Sequence, residues 1–143
     1  MLTSSDSLPN VILWAVSRSR STAFERAVMQ HPDVKVLHER LSGPFLARHF
    51  PEKHALIEHT RRINNGPPGI TGYAEAMTLL GERPAPPHRL QFSKEIAYFV
   101  DFNSIDSTWL AQFRHVFLVR QPRDVMRSLY RVSQSGGTTY FDG

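Results

Sequence analysis

A chain of 143 residues without a single cysteine is long enough to bury a core as one domain, and it excludes disulfide frameworks, cysteine nucleophiles and thiolate zinc sites. Seventeen Lys and Arg against thirteen Asp and Glu give a net charge of +4 and a pI of about 9.9, which favours an anionic ligand but is too mild to imply nucleic acid. The longest apolar run, Val11 to Val16, is too short to span a bilayer and lacks the basic flank of a signal peptide, so the expectation is a cytoplasmic protein with no membrane partner.

In chain order, residues 1–9 read as a loose tail and residues 10–143 as one α/β domain. Val11 to Val16 is a β-prone run, Ser17 to Ser21 a small polar loop, and Ala23, Ala27 and Val28 carry helical spacing. His31-Pro32-Asp33 ends that helix, and Val34 to Leu37 forms a second strand running into His38, Glu39 and Arg40. Gly43 to Asn65, broken by Pro51, reads as two short surface helices. Asn64 to Gly69 is a strong break, Ile70 to Leu80 a helix with Gly81 at its C′ position, and Arg83 to Pro87 a proline-rich connection. Arg89 to Ser93 is a third strand ending at Lys94-Glu95, and Ile96 to Val100 reads as helical. Ser104 or Asp106 caps a short helix through Phe113. His115 to Val119 is the most strand-like run, ended by Arg120, and Pro122 opens a helix to about Gln134 with Gly136-Gly137 beyond it. Alternating strands and helices predict a mainly parallel sheet.

Two stretches carry chemistry. The loop Arg18, Ser19, Arg20, Ser21, Thr22 sits between a strand and a helix, where backbone N–H groups, a helix dipole, two guanidinium groups and three hydroxyls suit a phosphate or sulfate. It is not a nucleoside-triphosphatase loop, since no glycine or lysine lies between Asn10 and Met29. A plain helix cap with Ser21 as N-cap is the alternative. Further on, Arg120 at a strand end and Ser128 on the following helix can converge on one anionic group; alternatively Arg120 pairs with Asp124 and Ser128 is merely exposed. His38, His49, His54 and His59 are spaced wrongly for a ligand pair one helical turn apart, so no metal is expected.

Together, VILWAVSRSRSTAF followed by HVFLVRQPRDVMRSLY resembles the sulfotransferases that use 3′-phosphoadenosine 5′-phosphosulfate. The resemblance implies a three-layer α/β sandwich with a mainly parallel sheet and P-loop NTPase-like topology. It implies that Arg18, Ser19, Arg20, Ser21 and Thr22 hold the 5′-phosphosulfate, while Arg120 and Ser128, within a motif shared by Arg123, Asp124 and Val125, hold the 3′-phosphate. Arg20 stands where that family usually has glycine. The family's domains also continue well past the position of Gly143, so the chain is expected to match their N-terminal portion.

The function so implied is transfer of a sulfuryl group to a hydroxyl or amine of a small-molecule acceptor, without metal. Arg18 stabilises charge on the leaving oxygen, and a carboxylate takes the acceptor proton: Glu39 first, Glu95 second, with His38 third. The alternative is a nucleotide-bisphosphate binding module derived from such an enzyme but catalytically incomplete. Arg123, Arg127 and Arg131, at i, i+4, i+8 on one helix face, would serve a nucleic-acid binder, but no aromatic platform accompanies them and a solvated face is expected.

Overall fold

The computed structural model describes residues 9–63 and 72–135. The expected tail before Pro9, the Asn64–Gly69 break, the start of the fourth helix at Ile70 and the Gly136-Gly137 terminator lie outside the described residues. The first apolar run forms β1 (Val11–Ala15), whose Ile12 to Ala15 are all buried. It is flanked on one side by β3 (Leu90–Ile96), then β2 (Val34–His38), and on the other by β4 (Arg114–Phe117), giving the order β2-β3-β1-β4 with every pairing parallel. Parallel strands covered on both faces read as continuous apolar runs, as β1 does; β3 is apolar only at Leu90, Phe92 and Ile96. The edge strand β4 differs: its four residues are all exposed. It stops at Phe117, two residues before the expected Val119, although Leu118 N–H still donates to the Trp14 carbonyl at 2.9 Å.

Helices alternate with these strands and flank the sheet, consistent with a three-layer sandwich. α1 (Ser21–Val28) follows the polar loop, and its N-cap is Arg20, with no side-chain cap, rather than Ser21 as the plain-cap alternative had it. α2 (Ser42–His49) and α3 (His54–Ile63) are the expected pair. α2 is no surface helix, however: Ser42 to Leu46 are all buried, because the turn of β2 into α2 folds under the core. α4 (Tyr73–Gly81) includes Gly81 within the helix, with Glu82 as C-cap. A single 3₁₀ turn, Ala97–Phe99, replaces the helix expected from Ile96 to Val100. α5 (Ser107–Leu110) is shorter than expected and is capped by Asp106, whose carboxylate accepts from Trp109 N–H at 2.7 Å. α6 runs Pro122–Gln134, with proline in its first turn. The core joins Ile12, Trp14 and Ile96 of the sheet to Leu41, Phe45, Tyr73, Ala76, Leu80, Trp109 and Phe113.

Buried polar side chains tie the layers at defined points. Asn10 Nδ2 donates to the carbonyls of Leu80 and Glu82 at 2.9 and 2.8 Å, and Gln91 Nε2 donates to Leu80 at 2.8 Å. The sheet thereby satisfies the last carbonyls of α4, the work a left-handed glycine at position 81 was expected to do. Trp14 Nε1 donates to His115 Nδ1 at 2.8 Å across β1 and β4. His115 therefore carries its hydrogen on Nε2, which faces the Leu110 carbonyl at 2.9 Å.

The third strand does not end at Lys94-Glu95. It continues to Ile96 and buries both, with Lys94 1% and Glu95 0% exposed. The Glu95 carboxylate accepts from the N–H groups of Arg40 and Leu41, both at 3.0 Å, and from Ser93 Oγ at 2.6 Å. It thus closes the turn from β2 into α2. Burial raises its pKa to about 7, against the pull of these three donors. A carboxyl whose folded pKa lies above its unfolded value contributes stability below the unfolded pKa that is lost as pH rises through the folded one. Glu95→Gln leaves one donor facing an amide NH₂ and should cost about 1–3 kcal/mol. Urea titrations should show that cost shrinking between about pH 4.5 and 7, as the wild type loses stability and the variant does not.

Candidate functional site

The two cationic stretches meet. Beyond the carboxyl ends of β1 and β4, a cavity of about 440 Å³ is lined by Arg18, Arg20, Ser21 and Thr22 from the loop and the start of α1. Arg120 closes it from the end of β4, and Asp124, Arg127, Ser128 and Arg131 from α6. Arg18 Nε donates to Ser128 Oγ at 3.0 Å, and Arg120 Nη1 donates to the Arg18 carbonyl at 2.7 Å. Arg120 is thus spent on the loop backbone and not on Asp124. Arg127 and Arg131, expected on a solvated face, belong to the cavity wall; Arg123 does not. Ser19, buried at 3% exposure, lies beneath the loop with its Oγ lacking a partner.

The loop backbone explains an oddity of the sequence. Arg18 has φ 65° and Arg20 φ 71°, both in the left-handed region, which costs an ordinary residue about 1–2 kcal/mol and glycine nothing. Glycine at position 20 would therefore suit the same backbone; arginine adopts it and adds a charge. Strain of this kind persists where the surroundings over-determine it, and here the Arg120 bond and the start of α1 do so. In the first turn of α1, Ala23 N–H donates to the Arg20 carbonyl at 3.1 Å, while Ser21 and Thr22 open the helix at the cavity, where the dipole favours an anion.

A second group of charges occupies the ends of β2 and β3. Glu39, itself left-handed at φ 45°, forms an ion pair with the ammonium of Lys94. His38 Nδ1 lies 2.9 and 2.7 Å from the two oxygens of Glu25, a residue of α1 only 3% exposed. A carboxylate only accepts, so Nδ1 carries the hydrogen, and Nε2 sits 3.8 Å from Glu39 Oε1. The result is a continuous line: Glu25, His38, Glu39, Lys94.

The sequence pointed to Arg18, Arg20, Ser21, Thr22, Arg120 and Ser128, and the fold brings these six to one cavity. Ser19 is behind it. Glu39 and His38 share the neighbouring strand end, whereas Glu95 lies inside the sheet with three donors on its carboxylate. Sequence reasoning missed Glu25 and Lys94 as parts of the site. Lys94 had a signal, a lysine in an apolar strand, but its partner emerges only from the parallel register that sets His38 beside Lys94. Glu25, one helical turn after Ser21, had none. Among the described residues no group of three or more His, Asp or Glu is arranged to hold a metal ion, and no helix is long and apolar enough to cross a membrane. No family model and no curated protein matches this chain.

Five arginines around one cavity should be relieved by a small polyanion. Pyrophosphate at ten times its Kd should raise unfolding stability by about 1.4 kcal/mol, and Arg18→Ala or Arg120→Ala should remove most of that gain. Arg20→Gly should instead raise the stability of the ligand-free protein by about 1 kcal/mol, by releasing the left-handed strain. Thermal unfolding with and without pyrophosphate reads both effects.

Proposed function

We propose that the chain binds 3′-phosphoadenosine 5′-phosphosulfate in this cavity and transfers its sulfuryl group to a hydroxyl or amine of a small acceptor. The observation that carries the reading is the junction of the two motifs: two sets of cations and hydroxyls, one from the loop and one from β4 and α6, meet at the Arg18–Ser128 bond. A nucleotide with separate 3′ and 5′ anionic groups matches two adjoining sets better than a single phosphate does. The strand order, with the anion loop leaving the interior strand β1, supports the P-loop-like topology that goes with this function.

In the proposed reaction the acceptor oxygen or nitrogen bonds to sulfur as the bridging S–O bond breaks. The bond's electron pair then stays on the 5′-phosphate oxygen. Arg18, Ser21, Thr22 and the N–H groups opening α1 surround that developing charge, Arg20 adds to the field, and Ser19 supports the loop from beneath. Arg120 and Ser128 hold the 3′-phosphate. Arginines suffice here because the transferred group carries less negative charge than a phosphoryl, so no magnesium site is invoked. Glu39 takes the acceptor proton, with Lys94 fixing where its carboxylate points and His38 Nε2 beside it. Glu95 is set aside as base: its carboxylate is fully buried and already accepts three hydrogen bonds. The Lys94 contact also favours a second reading, nucleotide binding without turnover, because a base held by an ammonium must release it to accept a proton.

Arg120→Ala should weaken 3′,5′-adenosine bisphosphate roughly tenfold or more, through loss of a charge-assisted bond, and adenosine 5′-monophosphate by clearly less, that smaller loss coming from the Arg18 carbonyl it no longer fastens. Calorimetry decides it, since equal losses would refute the 3′-phosphate assignment. For turnover, Arg18→Ala should lower kcat more than it raises KM, with partial recovery in Arg18→Lys. Tight nucleotide binding without sulfuryl transfer to any acceptor would select the binding module.

A further inference from the structure

A second cavity adjoins the cationic one and has the opposite character. It encloses about 300 Å³ between the carboxyl ends of β1 and β3, the α2–α3 connection and α6. Its walls are aromatic and aliphatic, chiefly Phe45, Phe50, Tyr98, Phe99, Ile96 and Leu56. The Phe45 ring is the hub, 5.0 Å from Phe99 and 5.2 Å from Tyr98 between centroids. The two cavities share their partition. Ser17 faces the apolar side and Arg18, the next residue, the cationic side; Val125 and Leu129 of α6 face the apolar side, while Asp124 and Ser128 face the other. Ile96, two residues beyond Lys94 on the same strand, connects this cavity to the Glu39–Lys94 pair.

One charge lines the apolar cavity. Lys53, half-buried in the α2–α3 connection, holds its ammonium 5.3 Å from the Phe50 ring centroid, and no carboxylate lines the same space. Among the described residues Lys53 forms no ion pair. An ammonium against an aromatic face is stabilised by the ring, and a ligand carboxylate there would meet it in a partly desolvated setting where charge pairing counts for more than in water. A sugar would surrender the hydration of several hydroxyls to these walls without recovering it.

Resting on the sulfuryl-transfer reading, we propose that this cavity holds the acceptor and that the acceptor is an apolar hydroxy acid. Its aromatic or alicyclic body packs against Phe45 and Phe99, its carboxylate meets Lys53, and its hydroxyl lies at the Ser17 end, beside Arg18. Lys53 comes from a segment that contributes nothing to the cationic cavity, so recognition of the acid is separate from recognition of the nucleotide.

The test uses the whole chain and three probes, a hydroxynaphthoate, naphthol and glucose, titrated calorimetrically with and without saturating 3′,5′-adenosine bisphosphate. Hydroxynaphthoate is expected to bind best, and glucose not at all. Lys53→Met should weaken hydroxynaphthoate by about tenfold, the scale of one partly buried ion pair, and leave naphthol unchanged. Leu129→Trp, which fills the cavity, should weaken both. Nucleotide binding without hydroxynaphthoate binding, equal hydroxynaphthoate affinity in Lys53→Met, or glucose binding as well as hydroxynaphthoate would each overturn the acceptor assignment. Hydroxynaphthoate binding, sensitive to Lys53, in a chain that fails to bind the nucleotide would instead overturn the transferase reading and leave a site for an apolar acid. Lys53 is outside the hydrophobic core, so its variant keeps the test decisive even if Leu129→Trp fails to fold.

Discussion

Five guanidinium groups share one cavity with a single carboxylate, Asp124, and the repulsion among them must be borne by the rest of the fold. Like charges a few ångströms apart disfavour the compact arrangement unless something fixes them or neutralises them. The fixing is done by neutral groups: a serine hydroxyl receives Arg18, and a backbone carbonyl receives Arg120. Both bonds span more than a hundred residues of sequence, so loop and helix are placed by the sheet that carries them. The backbone contributes its own tension through the left-handed Arg18 and Arg20. An anion entering the cavity relieves repulsion that folding has already accepted, which is a general route to strong anion affinity on a modest net charge.

Beside that cationic cluster the sheet buries charges of both signs with their partners. Lys94 and Glu95 are adjacent on β3 and point to opposite sides, as strand geometry requires. One reaches Glu39; the other closes the β2–α2 turn through Arg40 and Leu41. The same short stretch therefore sets the direction of a candidate base and holds the turn on which that base sits. Glu25 extends the arrangement into α1, so loop, first helix and second strand end are mechanically one unit.

The strands, most of the helices and the residues that line the cationic cavity were legible because each rests on local rules: apolar runs, small polar loops, proline at a helix start. The errors fall where a residue's role is set by something distant. Lys94 and Glu95 read as a strand terminus because paired charges are rarely buried, and only their cross-strand partners make burial affordable. Gly81 read as a left-handed cap because the carbonyls it was meant to serve are taken by Asn10, seventy residues away, and by Gln91. Ser21 read as the N-cap on composition, yet the backbone turns one residue earlier, at an arginine that local preference would have passed over. His115 to Val119 read as the most strand-like run, but β4 is Arg114–Phe117, exposed throughout at the edge, and edge position is a property of the sheet.

That edge has a bearing on how ligand occupancy would be felt. β4 joins the sheet through β1 alone and shows all its side chains to solvent, so its amides belong to the part of the molecule that opens most readily. Arg120, three residues past its end, is fastened to the carbonyl of Arg18. Seating of the strand and filling of the cavity are then thermodynamically linked, each favouring the other by the same free energy. Amide hydrogens of β4 and the start of α6 would exchange more slowly with the anion bound. Damage at the Trp14–His115 bond, far down the strand, would surface as lost affinity at the cavity, without any change in the groups that touch the ligand.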